Sequence, residues 1–319
     1  MTDTVALPRD LAVLMYHYVR PPDPPLRVGA GSVDLATFAA QLDDLRRHAT
    51  VVGWPQVAAA MAGGPGLPSR AVLLTFDDGE DDHHRYVLPM LAERGLPGTF
   101  FVMARDPSDG LSVAHRIHVV LAHLTPDQLR EAVFDRLPAE AQGRLRAAVA
   151  EQARHPFADP LDDLKWVLQR DLADAVGPIL TALVEELVGP EPDVAATLHM
   201  DARQVADLHA AGMTLGGHTR DHVWLDFVDP DEARRQVAAS RAQLTTLVPA
   251  GGWPFAYPFG GIPADPGALV GPFGFGAGFA ATATDRTDRW RLGRVDAETL
   301  GLTPTTHPRL APAGPARTS

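Results

Sequence analysis

Six short runs of mostly apolar residues recur along the chain, set among segments that carry the period of amphipathic helices. The runs are Leu11–Val19, Ala71–Phe76, Gly98–Val102, Met213–His218, Trp253–Tyr257 and Phe275–Ala280. Several are nearly continuous in apolar residues, the pattern of strands covered by helices on both faces. Asp34 precedes Phe38, Leu42 and Leu45, which are spaced to share one helix face. Asp229-Pro230-Asp231-Glu232 supplies an N-cap, a proline at the first helical position and an acid in the first turn. Asp201–Ala211 reads as a helix closed by Gly212, and it feeds directly into the run Met213–His218. This β-α-β alternation selects a mostly parallel sheet, either an α/β barrel or an open one.

One stretch breaks the rhythm. Between about Arg105 and His199 the signals are almost only helical, among them the capping box Thr125-Pro126-Asp127-Gln128 and the start Asp159-Pro160. With 319 residues, 45% of them hydrophobic, the chain can bury a full core without disulfides. A single domain over 1–319 is expected, with a helical insertion at about 105–199. A loose tail over about 302–319 is expected from its proline, threonine and alanine content.

Charge and cysteine content exclude several chemistries. The formal net charge is −12, which disfavours a general nucleic-acid or anionic-membrane binder, since both need a basic face. There is no cysteine, so thiolate zinc sites and cysteine nucleophiles are excluded, and a metal would need His, carboxylate and water. No stretch approaches a membrane span, and MTDTVALPRD lacks the basic and apolar regions of a secretory leader, so a cytoplasmic location is expected. The sequence sets no oligomeric state.

Three strand ends carry chemistry. Leu73-Leu74-Thr75-Phe76-Asp77-Asp78-Gly79 runs an apolar strand into two acids; strand alternation sends them in different directions, so each can do a different job. Read alone, it is either a site or an Asp-Gly turn. Gly217-His218-Thr219-Arg220-Asp221-His222 spaces two histidines so that a helical turn would face both towards one metal; read alone, a surface pair is as good a description. Phe255-Ala256-Tyr257-Pro258-Phe259-Gly260-Gly261 ends another strand in a turn that packing alone could explain.

Together, in this order, the three motifs resemble the signatures of the polysaccharide deacetylases, the proteins with a NodB homology domain (carbohydrate esterase family 4). Thr75–Gly79 is similar to the TFDDG motif, His218–His222 to H-[ST]-x-x-H, and Ala256–Gly260 stands where the family has R-x-P-[YF]-G. The resemblance covers about Leu11–Ala104 and Leu198–Asp296. It implies a distorted (β/α)7-type barrel with the site at the carboxyl ends of the strands. It implies Asp78, His218 and His222 as ligands of one divalent cation, zinc first, with cobalt, nickel or manganese also compatible. Asp77 becomes the general base, and the Phe259 N–H an oxyanion donor; Tyr257 and Gly260 share the substrate-binding turn with Phe259.

Two departures matter. Ala256 replaces the family's arginine, and the late L-x-H motif is not evident, His307 lying in the proline-rich tail. Arg294 is a candidate partner for Asp77. Leu14-Met15-Tyr16-His17 resembles the M-Y-H segment of the poly-N-acetylglucosamine deacetylase branch, which makes His17 the candidate acid. Glu80, Asp81, Asp82, His83 and His84 read as a solvated first helical turn. His115, His118 and His123 share one helix face that could reach the cleft. The expected activity is removal of an N-acetyl group from a small N-acylated sugar or glycoside. The rivals are a C–N hydrolase of cyclic imides, ureides or other amides, and a non-catalytic carbohydrate-binding relative.

Overall fold

The computed structural model describes residues 11–153, 160–248, 251–282 and 288–300; the expected tail and His307 lie outside them. In chain order the strands are β1 (Ala12–Tyr16), β2 (Val19–Arg20), β3 (Val33–Asp34), β4 (Thr50–Val51), β5 (Ala71–Phe76), β6 (Thr99–Val102), β7 (Thr214–Gly217), β8 (Trp253–Ala256), β9 (Phe275–Phe279) and β10 (Val295–Asp296). β2 and β3 pair only with each other. The other eight form one parallel sheet in the order β10-β1-β5-β6-β7-β8-β9, with β4 also on β5. Leu292 bridges to Phe279 in β9, and Val295 and Asp296 then pair with β1. The sheet therefore curls until one short segment touches both of its ends, which is the distorted (β/α) barrel the motifs imply.

Alternate residues of each strand enter two apolar layers. The outer layer joins Leu14, Phe76 and Phe255 to the surrounding helices. Helix α1 (Leu35–His48) contributes Phe38 and Leu42, both fully buried, each stabilising by roughly 1.5–3 kcal/mol. Asp34 caps this helix, accepting from the N–H groups of Ala36 and Thr37 at 3.0 Å. The inner layer joins Val13, Leu73, Phe101 and Phe279, with Trp54, Val57 and Met61 of α2 (Trp54–Met61) packed among them. Helix α3 (Leu88–Arg94) follows β5.

The run Leu11–Val19 is shorter as a strand than its composition predicts. β1 ends at Tyr16, and Val19 belongs to β2, because the chain leaves the sheet at the rim to pair with Val33.

After β6, and before the helix that leads into β7, the described residues form six α-helices: α4 (Val113–Leu121), α5 (Pro126–Arg136), α6 (Ala139–Gln152), α7 (Pro160–Trp166), α8 (Ala173–Leu187) and α9 (Glu191–Leu198). They share an apolar cluster that includes Ile117, Val133 and Leu180. Glu191 ties both ends of this segment together. It accepts from the Leu111 N–H at 2.8 Å and from Arg116 at 2.8 and 3.0 Å. The chain then returns through α10 (Ala202–Ala210), and α11 (Pro230–Leu247) and α12 (Pro266–Val270) complete the helical layer.

Candidate active site

Strand alternation continues the inner face of Leu73 through Thr75 to Asp77. The Asp77 N–H still bonds the Tyr16 carbonyl at 2.9 Å, as in a strand ladder. The next two residues leave the strand in left-handed conformations, Asp78 at φ +75° and Gly79 at φ +73°. For a residue with a side chain this costs about 1–3 kcal/mol, and it separates the two carboxylates into different surroundings.

Asp77 is buried and held at both oxygens. Arg294 Nη1 donates to Oδ1 and Nη2 to Oδ2, each at 2.7 Å. The Arg294 Nε donates to the Ala280 carbonyl at 2.8 Å, which fixes the guanidinium from behind. Burial by itself would raise the carboxyl pKa of Asp77, but the Arg294 charge outweighs it and the net direction is down. Asp77 is thus held as a carboxylate. Arg294 supplies the guanidinium that Ala256 cannot, from a different strand end. His17 lies at the rim, one-third exposed (32%), with Nε2 4.0 Å from Asp77 Oδ2.

Asp78 faces the histidines. Its Oδ1 is 3.1 Å from His218 Nε2 and 3.0 Å from His222 Nε2. Yet this buried oxygen has no hydrogen-bond partner among the described residues, so the three side chains converge on a common point without bonding one another. His218 Nδ1 lies 2.9 Å from the Ala256 carbonyl. A carbonyl only accepts, so Nδ1 carries the proton and the Nε2 of a neutral ring presents its lone pair towards Asp78. Burial opposes charging His218, but the carboxylates of Asp78 and Asp77 outweigh it and raise its pKa; a divalent cation would take the place of that proton. Burial pushes His222 down to about 4, leaving it neutral and fit to ligate. This donor set and its orphaned oxygen fit a single divalent cation.

The two imidazoles do not meet through a helical turn. After β7 the chain is a loop in which Thr219 (φ +59°) and His222 (φ +55°) take left-handed conformations, and Thr219 Oγ1 accepts the His222 N–H at 3.1 Å. Gly217 is required just before it, since a Cβ there would lie 2.8 Å from the Phe275 ring.

The turn after β8 divides its residues. Phe259, also left-handed at φ +58°, packs its ring edge-on to His222 at 4.4 Å and stacks on Trp224 at 4.7 Å. Gly260 holds the turn at φ +76°. Tyr257 lies elsewhere: it is wholly buried in the outer layer, packed on Phe255, with its hydroxyl against Gly278. Its side chain is therefore not a wall of the mouth, because strand alternation puts it on the face opposite Ala256.

The expected solvated turn after Asp78 is buried instead. Glu80 and His83 are fully enclosed, and Asp81 and Asp82 nearly so. Arg20 takes Asp82 at 2.7 Å and Arg85 takes Asp81 at 2.8 Å, which lets the acids sit inside. From α4, His115 does reach the site, with Nε2 3.5 Å from Asp78 Oδ2. His118 instead meets the Tyr18 hydroxyl at 3.2 Å, and His123 is exposed. Glu80 and His199 are buried beside this group without any signal in the sequence that joins them.

Among the described residues no helix is long and apolar enough to cross a membrane. The sequence model of the polysaccharide deacetylase family matches residues 65–136 and 179–275, more than half of the chain. YxkH of Bacillus subtilis, which carries the name of a polysaccharide deacetylase, is 30% identical over 128 residues, spanning 39% of this chain and 39% of that relative. Three solved structures share the fold. The Streptococcus pyogenes deacetylase PplD, in complex with acetate, has a TM-score of 0.55 at 15% identity, over 90% of this chain and 91% of that one. IcaB from Ammonifex degensii has a TM-score of 0.54 at 22% identity, over 90% and 91%. A de-N-acetylase from Aggregatibacter actinomycetemcomitans has a TM-score of 0.56 at 15% identity, over 91% and 96%.

Proposed function

Because the chain belongs to the polysaccharide deacetylase family, we propose that it is a metal-dependent hydrolase that removes N-acetyl groups from amino-sugar residues of a glycan. The observation that carries this is the pairing of a metal-ready set, Asp78, His218 and His222, with a neighbouring carboxylate that a guanidinium holds out of that set. Zinc suits two imidazoles and one carboxylate, and cobalt, nickel or manganese are alternatives. When bound, the cation supplies a polarised acyl carbonyl and a more acidic water.

The chain's own residues would do the rest. Asp77 accepts the proton of the attacking water, and the fork from Arg294 keeps it ionised and correctly turned. The amine leaving group needs a proton, and His17, at the rim beside Asp77, would give it. Phe259 and Trp224 offer apolar surface beside His222 for the acetyl group or the sugar face. The chain would form one domain, with the helices of about 105–199 as an insertion beside the mouth.

The relatives' names concern polysaccharides, which favours a polymeric or oligomeric glycan over the small glycoside expected from sequence. The deciding experiment is acetate release from a panel: N-acetylglucosamine, its β-1,4 and β-1,6 oligomers, and a cyclic imide. Release from the oligomers above the monosaccharide is the expected result. Hydrolysis of the imide alone would replace this reading with that of a different C–N hydrolase.

A further inference from the structure

Beside Asp78, and within ring contact of His222 through His115, lies a second group of buried donors. Glu80 is fully enclosed, and neither of its oxygens has a hydrogen-bond partner among the described residues. His115 is also fully enclosed, and its Nε2 has no such partner although Asp78 Oδ2 is only 3.5 Å away. His199, 6% exposed, has both ring nitrogens unpartnered, and its ring centre is 4.5 Å from that of His115. One donor atom from each of Asp78, Glu80 and His115 lies within 4.8 Å of the others.

Leaving an acid and two imidazoles buried without hydrogen-bond partners from the protein is costly. His115 can ligate from this position. Its Nδ1 is 2.7 Å from Ser112 Oγ, a hydroxyl able to accept or to donate, and the tautomer with its proton on Nδ1 would leave the Nε2 lone pair free for a cation beside Asp78 Oδ2. Asp78 thus offers one oxygen to each group, Oδ1 to His218 and His222 and Oδ2 to His115, the arrangement of a bridging carboxylate.

We propose that Asp78, Glu80 and His115, with His199 beside them, form a second divalent-cation site that shares Asp78 with the first. Two carboxylates and imidazole select a borderline cation such as zinc, and a shared carboxylate sets the two ions about 3.5–4 Å apart. A cavity of about 330 Å³ on the side of α10 and α11 is lined by Asp78, Gly79, His199 and Arg105 among others, and so borders the proposed site at Asp78 and His199. The site draws on three parts of the chain: the loop after β5, helix α4, and the residue that follows α9. The second ion is therefore a clasp that fastens the helical segment to the barrel. The sharing of Asp78 rests on the proposed first site; the Glu80 and His115 half does not.

The test counts zinc. The full chain is stripped with a chelator, loaded with excess Zn²⁺, desalted and measured by inductively coupled plasma mass spectrometry. Two zinc ions per wild-type chain are expected, and one for Glu80→Gln, an isosteric change whose fold is checked by circular dichroism. One ion in wild type, or two retained in folded Glu80→Gln, overturns the second site. A measurement without any variant stands beside it: wild type loaded with Mn²⁺ should give the electron paramagnetic resonance spectrum of a spin-coupled pair, and only isolated-ion signals would overturn the proposal. His222→Ala separates the two readings. Loss of one ion there supports the first site, whereas an unchanged count with a loss in Glu80→Gln would sink the first site and leave the second.

Discussion

Both oxygens of Asp77 are met by Arg294, and Arg294 is itself held by the Ala280 carbonyl. One residue later, Asp78 Oδ1 has no hydrogen-bond partner among the described residues, although two imidazole nitrogens stand within 3.1 Å. The Asp77 side is finished by protein atoms; in the proposed reading a cation finishes the Asp78 side. The cause is local. Asp77 keeps the strand's direction and points into the barrel, where the segment that closes the sheet delivers a guanidinium. Asp78 leaves the strand at φ +75° and points at loops. A saturated acid can be tuned and turned without being consumed as a ligand, whereas an orphaned set is a socket. The proposed division of roles between the adjacent acids rests on this difference.

The contrast can be broken at each half. Asp77→Asn should lower deacetylation by about 10²–10⁴-fold while zinc content stays unchanged. Parallel loss of metal and activity would mean that the two acids have been given each other's roles. Arg294→Met leaves the Asp77 carboxylate buried and unpaired, so denaturant unfolding should show a loss of about 3–5 kcal/mol. A stability unchanged from wild type would show that the fork is dispensable. His17→Ala should slow amide hydrolysis by about 10²-fold more than hydrolysis of an activated ester, whose leaving group needs little acid help; equal losses on the two substrates would move the acid elsewhere.

A smaller effect is expected in the helical segment, where Glu191 is saturated in the same manner as Asp77. Burial raises its pKa, but the bonds from Arg116 and the Leu111 N–H outweigh burial and lower it. A depressed folded pKa gives stability that is present above the unfolded value of about 4.3 and is lost as pH falls through the folded value. Acid unfolding should therefore loosen this segment below about pH 4. Glu191→Gln should cost about 1.5–3 kcal/mol at neutral pH and flatten that acid dependence; hydrogen exchange of α4 and α9 measures both.

The parallel sheet was legible because its strands are written as apolar runs and its helices carry start signals at Asp34, Thr125 and Asp229, each of which caps a helix in the structure; its closure into a barrel was implied by the family resemblance. The set Asp78, His218 and His222 was legible through the likeness of its motifs to the family's, since local spacing alone left an Asp-Gly turn and a surface histidine pair open. The means of convergence was not. Left-handed conformations at Thr219 and His222 replace the expected helical turn, and residues other than glycine give little sign of φ in a sequence. The acids after Asp78 were misread as solvated because their partners, Arg20 and Arg85 among them, come into place only through the fold. Arg294 could be named as a candidate from chemistry, but its fork on Asp77 needed the closure of the sheet. Glu80 and His199, 119 positions apart, meet only through an isolated bridge that no periodicity announces.

The most direct measurement is zinc-dependent acetate release from a β-linked N-acetylglucosamine oligomer, using chelator-stripped wild type and Asp78→Ala side by side. Wild type should be inactive when stripped and recover as zinc is added, while folded Asp78→Ala should stay inactive across the titration. Full turnover by stripped wild type, or recovery of Asp78→Ala with the same zinc dependence, would contradict a metal-dependent deacetylase built on Asp78, His218 and His222.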